Sequence, residues 1–232
     1  ATQIAHQGDA FDLDAVVRNR VARRVRRASD APVFRRAVTQ SRRGQLMVII
    51  DQSASSSAAW AESTTSLLQA ACTITASLAQ ALQNCGTQVA IAGFSSNGRH
   101  AVALQGVKAF DEPMGESVVL RLAALRSQHS TRLGTAIRHA TRAVVDARGR
   151  GSRQVVIVSD GLPWDVDVHD PHYLESDAHD AVMRARRQGV VVSCLVLDPA
   201  GAASARKVFG ARRMGVLQTL TDLPEQVRRL GV

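Results

Sequence analysis

Asp51, Ser53 and Ser55 stand at alternate positions directly after the apolar run Leu46-Met47-Val48-Ile49-Ile50. A carboxylate and two hydroxyls at that spacing offer only oxygen ligands and a single negative charge. Such a set suits a hard cation of the Mg²⁺ type, which prefers oxygen donors and keeps some of its waters. The bland alternative is that Asp51 caps a following helix and the serines are turn residues. Two further stretches bear on the choice. Gln154 to Ser159 is another apolar segment, ending at Asp160-Gly161, and Ser130-Thr131 supplies hydroxyls just ahead of a helical pattern that opens at Gly134.

These residues must be positioned by regular elements, and the sequence predicts them. Strands are expected over Leu46–Ile50, Gln88–Phe94, His100–Leu104, Gln154–Ser159 and Val190–Leu197, and helices over Glu62–Gln83, Gly134–Ala147 and Ser176–Arg187. Val155-Val156-Ile157-Val158 and Val190-Val191-Val192 are near-continuous β-branched runs, as in strands covered on both faces. Alternating strands and helices imply βαβ units and an α/β fold with a mostly parallel central sheet, helices on both faces. Ser95-Ser96-Asn97-Gly98 reads as a turn, so the second and third strands form a hairpin that adds one antiparallel edge. Ligands of open α/β sheets bind outside the carboxyl ends of the strands, where Asp51 and Asp160 fall.

With the three loops in view, the chain resembles the von Willebrand factor A domain, a Rossmann-like fold, and its metal-ion-dependent adhesion site. That family's pattern is D-x-S-x-S, then a Thr before a helix, then an Asp followed by Gly. It maps onto Asp51, Ser53 and Ser55, onto Thr131, and onto Asp160. Thr131 is the choice although Ser130 adjoins it. The resemblance implies Mg²⁺ or Mn²⁺ held by these five residues, with one position left for a carboxylate from a partner protein.

A narrower resemblance covers most of residues 8 to 232. Gly93 to His100, Lys108 to Pro113, Asp165 to Tyr173, Asp198-Pro199 and Val208-Phe209-Gly210 look like signature stretches of the carboxyl-terminal domain of NorD and CbbO proteins. This resemblance implies a protein-binding adaptor working with an AAA+ ATPase of the MoxR class on a client enzyme. The client would be Rubisco in a CbbO-like reading, which is preferred, or nitric-oxide reductase in a NorD-like one, engaged through an acidic residue. Ser56-Ser57-Ala58-Ala59-Trp60 departs from the subgroup's usual Thr-Asn-Asp after the metal motif. Ser56, Trp60, Trp164 and Asp165 are therefore taken as a partner-binding rim, with packing of the tryptophans on the first helix the competing reading.

Composition fits one domain preceded by a lead-in. The chain has 232 residues, 45% apolar, and is divided here into a basic, partly helical lead-in over residues 1–44 and the von Willebrand factor A domain over 45–232. No stretch approaches the ~20 apolar residues of a membrane span, and no secretory pattern opens the chain, so a cytoplasmic setting is expected. Starting at Ala1-Thr2-Gln3, the chain reads as a piece of a longer protein or as one with a processed terminus. Cys72, Cys85 and Cys194 fall on apolar helix faces or strands and are expected to be buried thiols.

Charge is uneven: the formal net charge is +9, and Arg18, Arg20, Arg23, Arg24, Arg26, Arg27, Arg35, Arg36, Arg42 and Arg43 crowd the lead-in. Asp12 to Arg27 carries apolar residues at helical spacing, so a basic amphipathic helix is expected there. It could bind nucleic acid electrostatically, lie on an anionic membrane surface, or dock the rest of the protein or its ATPase. With aromatics at only 3%, base-stacking platforms are poorly supplied, and docking is preferred over specific nucleic-acid binding.

Catalysis is not expected. Ser53, Asp160 and a histidine could imitate a hydrolase triad, but the G-x-S-x-G elbow is missing, as is a Walker A loop. Asp51-Gln52-Ser53 lacks the second Asp of a haloacid-dehalogenase-type nucleophile motif. His169, His172 and Tyr173, flanked by Pro163 and Pro171, read as an extended loop, with Asp165, Asp167 and Asp170 solvated beside them.

Overall fold

A computed structural model describes residues 2–5, 10–11, 34–37, 44–61, 63–147, 149, 151–168 and 170–232. The chain divides into two units, Ala1–Ser41 and Arg42–Val232. Within the first, Thr2–Ala5 (β1), Ala10–Phe11 (β2) and Phe34–Ala37 (β3) make an antiparallel sheet in the order β1-β3-β2, strands that sequence reading did not anticipate. The amphipathic helix expected over Asp12–Arg27 lies outside the described residues.

The second unit is built on six strands: Gln45–Asp51 (β4), Gln88–Ser96 (β5), Val102–Lys108 (β6), Arg153–Ser159 (β7), Val190–Val196 (β8) and Met214–Val216 (β9). Their order is β6-β5-β4-β7-β8-β9, and every pairing is parallel except β5 with β6. This is the expected mostly parallel sheet with one antiparallel edge. The hairpin turn, however, sits later than Ser95-Ser96. Both serines pair with β6, and the chain reverses at Asn97–Ala101 through Gly98, whose φ of +73° a side chain would disfavour.

Helices cover both faces: Leu67–Asn84 (α1), Glu116–Ala123 (α2), Leu133–Asp146 (α3), Pro171–Arg187 (α4), Ala202–Phe209 (α5) and Leu223–Leu230 (α6). Side chains of a strand alternate between faces, and β4 divides its apolar run accordingly. Leu46, Val48 and Ile50 pack with Ile74, Leu78, Val118, Leu122 and Leu230, from α1, α2 and α6. Met47 and Ile49 pack with Ile137, Ala140, Ala181, Val208 and other residues of α3, α4 and α5. Val156 and Val158 of β7 face the first layer, Val155 and Ile157 the second, which explains why Leu46–Ile50 and Val155–Val158 are uninterrupted apolar runs.

Two helix starts lie five residues from expectation for local reasons. α1 starts at Leu67 instead of Glu62 because Ser66 is its N-cap: the Ser66 hydroxyl accepts from the Gln69 amide, and the Gln69 side chain accepts from the Ser66 amide. α4 starts at Pro171, five residues early, because Asp170 caps it by accepting from the His172 amide and Pro171 fits its first turn. His172 and Tyr173 therefore belong to a helix and not to an extended loop. α2, α5 and α6, each eight residues, are too short for a periodicity window to register, and the three-residue β9 escaped for the same reason. Among the described residues no helix is long and apolar enough to cross a membrane. Of the cysteines only Cys194 is fully buried; Cys72 is half-buried and Cys85, just past the end of α1, is exposed.

Candidate functional site

β4 and β7 run parallel and in register, so their carboxyl ends bring Asp51 and the Ser159-Asp160 pair to one edge of the sheet. Asp51, the last residue of β4, is the hub. Its Oδ1 accepts from the Ser53 amide at 2.8 Å and from Thr131 Oγ1 at 2.7 Å, and its Oδ2 accepts from Ser159 Oγ at 2.7 Å. Ser53 Oγ and Ser55 Oγ lie 2.9 Å apart at the start of a short 3-10 turn over Ala54–Ser57. Asp160 Oδ1 accepts from the Leu162 amide at 3.0 Å, and the turn passes through Gly161 at φ +88°. Asp51, Ser53, Thr131 and Asp160 are buried, whereas Ser55 is exposed.

The structure thus brings all five sequence-predicted ligand residues together. It also separates Thr131 from Ser130: the Thr131 hydroxyl points to Asp51, while Ser130 Oγ is buried with no hydrogen-bond partner among the described residues. Ser159 was missed. Its hydroxyl donates to Asp51, lies 3.3 Å from Asp160 Oδ1 and accepts from the Gly161 amide, so it fixes both carboxylates. The available signal was its place as the last residue of a β-branched strand, where an apolar residue would otherwise continue the run.

Electrostatics show what this arrangement suits. Burial pushes the Asp51 carboxyl above its usual range, and the negative charge of Asp160 pushes it further, against the hydrogen bonds from Thr131, Ser53 and Ser159. The Cys194 thiol beneath is pushed up by burial and then by both aspartates. Two carboxylates concentrated in a buried cluster call for a compensating positive charge. Among the described residues no cluster of three His, Cys, Asp or Glu side chains occurs, so the donor set is two carboxylates and hydroxyls. That set fits an oxygen-preferring divalent ion such as Mg²⁺ or Mn²⁺ and does not fit softer metals.

Three members of the expected rim are corrected. Ser56 is buried, donating to the Ser53 carbonyl and sharing a 2.7 Å hydrogen bond with Ser127 Oγ, so it braces the loop. Trp60 is 7% exposed, packs in the α1 layer and donates through Nε1 to the Leu217 carbonyl at 3.2 Å. Asp165 is 1% exposed and accepts from Ser96 Oγ, the Gly98 and Val166 amides and Arg132 Nε. Only Trp164 is open to solvent. Asp167 also pairs with Arg132, and Asp170 is the helix cap, so neither is a bystander in a solvated loop; His169 lies outside the described residues.

The Trp60 correction is testable. Trp60→Phe keeps most of the packing but leaves the Leu217 carbonyl without its donor, so unfolding in urea should show a loss of about 1–2 kcal/mol. Mg²⁺ binding, followed by calorimetry, should be unchanged; a rim residue would give the opposite pattern, lower partner binding at constant stability.

Backbone bonds stitch the loops together. The Ser96 and Ser130 amides and carbonyls exchange bonds at 2.8 and 2.7 Å, the Thr131 amide donates to the Trp164 carbonyl at 2.8 Å, and the Ala54 amide to the His129 carbonyl at 2.9 Å. The hairpin tip, the Thr131 loop, the Ser53 loop and the segment after Asp160 are therefore held as one frame.

Comparison with known proteins agrees with this geometry. Residues 46–162, about half of the chain, match the family model for the von Willebrand factor type A domain. The chain is similar to an uncharacterized protein of Pseudomonas aeruginosa, 32% identical over 224 residues that make up 97% of this chain and 36% of that protein. It is similar to the protein NorD of Brucella suis, 30% identical over 217 residues, 94% of this chain and 34% of NorD. The chain spans about a third of the length of these curated relatives. Among solved structures it is similar to conserved hypothetical protein BatB from Bacteroides thetaiotaomicron, with a TM-score of 0.60, 17% identity and 81% and 97% of the two chains covered. It is likewise similar to the manganese-loaded TRAP protein of Plasmodium vivax, with a TM-score of 0.58, 12% identity and 82% and 74% covered. Identities this low speak to the fold alone. The family model, together with the sheet order and the three strand-end loops, shows that this chain belongs to the von Willebrand factor type A domain family.

Proposed function

We propose that this chain is a non-catalytic, metal-dependent recognition domain that grips a client protein by a carboxylate. The observation that carries this is the convergence of Asp51, Ser53, Ser55, Thr131 and Asp160 on one sheet edge, two buried carboxylates among hydroxyls. Asp51 and Asp160 would supply the charge that holds Mg²⁺ or Mn²⁺, and Ser53, Ser55 and Thr131 the neutral oxygens. A divalent ion bound there offers a position that an aspartate or glutamate of a partner fills. Ser159 keeps the two carboxylates oriented, and the exposure of Ser55 leaves that side of the site accessible.

The curated relatives named NorD support a NorD-type client, nitric-oxide reductase, served together with a MoxR-class AAA+ ATPase. The Rubisco client preferred from the sequence gains no support from them. The ATPase would supply the force and this domain the address.

The test is a double-mutant cycle on the complex between this chain and the client. Thr131→Ala, and alanine at the client's engaged Asp or Glu, should each weaken the complex in Mg²⁺. The double variant should lose little more than either, because both changes break one contact. ATP hydrolysis by the partner should continue while client activation stops. Full additivity at every acidic position of the client, or undiminished binding in EDTA, would mean that carboxylate and metal never meet.

A further inference from the structure

Leu162, Trp164 and Val166 are 45, 58 and 50% exposed, alternating strictly with buried Pro163 and Asp165. Trp164 bridges Thr131 and Val166 opens a turn closed by the Val168 amide on the Asp165 carbonyl, so with Pro163 and Asp165 buried the side chains of Leu162, Trp164 and Val166 are left at the surface. This row is fixed at both ends. The Leu162 amide donates to Asp160 Oδ1, the Trp164 carbonyl accepts from the Thr131 amide, and the inward Asp165 carboxylate takes four hydrogen bonds, one of them from Arg132. The apolar ridge is thus a preformed wall beside Thr131 and Asp160. Only two tryptophans occur in the chain; one is packed inside, so the exposure of the other is not a shortage of core. Rigid exposed aromatics flanked by apolar side chains mark protein-binding surfaces, where tryptophan is prominent among energetic anchors. Exposed Arg99 stands on the hairpin tip, its amide bonded to Asp167, and adds positive charge at the far end of the row.

From this we infer that the occupant is a segment of another protein in which the metal-seeking carboxylate is directly flanked by an aliphatic or aromatic side chain that packs on Leu162, Trp164 and Val166. The inference rests on the carboxylate reading above and narrows it: an acidic residue among polar neighbours would fill the metal position but leave the ridge uncovered.

A random peptide library displayed on phage, panned on this chain in Mg²⁺ and in EDTA, tests it. Mg²⁺-dependent binders should carry an acidic residue next to an apolar one. The best such peptide, made synthetically, should bind Trp164→Ser about thirtyfold more weakly, the equivalent of ~2 kcal/mol. The affinity of that variant for Mg²⁺ alone, and its melting temperature, should stay as in the wild type, since the bond from Trp164 to Thr131 is made by its main-chain carbonyl and its side chain is 58% exposed. If Trp164→Ser does not fold, the pair Leu162→Ser and Val166→Ser serves instead. Acidic binders with no apolar preference, or undiminished binding to the variant, would overturn this inference and leave the metal–carboxylate reading standing. Equal enrichment in Mg²⁺ and EDTA, or no enrichment, would overturn both.

Discussion

Asp51→Asn should abolish Mg²⁺ binding while leaving the metal-free protein as stable as the wild type or more so. Asparagine keeps an acceptor for the Thr131 hydroxyl but removes a charge that burial and Asp160 both oppose. In EDTA the variant should therefore melt at or above the wild-type temperature. With Mg²⁺ at a hundredfold excess over its dissociation constant the wild type should gain about 2.7 kcal/mol, and the variant nothing. The pH dependence follows with its sign. A carboxyl held above its usual range in the fold favours the protonated form. The metal-free wild type should then lose stability as pH rises from about 4, the ordinary carboxylate value, through the raised folded value, and regain it as pH falls. Asp51→Asn should lack that slope. Calorimetry showing unchanged Mg²⁺ affinity in Asp51→Asn would remove Asp51 from the site.

The second large effect concerns stability. Arg132 is mostly buried, and its Nε donates at 3.0 Å to Asp165, whose side chain is fully buried. Its amide donates to Ser96 Oγ at 2.9 Å, and its guanidinium reaches Asp167 as well. Arg132→Ala strands the Asp165 charge without its partner and should cost about 3–5 kcal/mol in urea unfolding. Adding Asp165→Asn should recover part of that loss, because the stranded charge is then gone. Mg²⁺ affinity should fall in Arg132→Ala too, since Thr131 is the adjacent residue. Loss of less than about 1 kcal/mol would show that the pair does not hold the loops.

What the sequence made legible follows from range. D-x-S-x-S, Thr131 and Asp160-Gly161 are short local patterns beside apolar runs, and β-branched runs with both faces covered announce a parallel sheet. The Arg132–Asp165 pair spans 33 positions and leaves no trace in either neighbourhood. Asp165 reads as one of several acids in a polar stretch, and only the fold reveals that it faces inward. Trp60 was undecidable because a single aromatic has no periodicity; its partner, the Leu217 carbonyl, is 157 residues away. The short α2, α5, α6 and β9 form because the sheet and its layers give them apolar surfaces to cover, which local propensity does not encode.

Under the proposed function, the stitched frame of Ser96, Ser130, Thr131 and Trp164 bears on the kinetics of recognition. Loops that must order around a partner charge that entropy to every encounter and slow association. Here the ordering is completed during folding, before any partner arrives. Encounter would then be governed by diffusion and by the attraction between a chain of net charge +9 and an acidic surface, with salt lowering the on-rate. Partners that share the carboxylate would arrive at similar speeds, and discrimination among them would reside in how long each one stays.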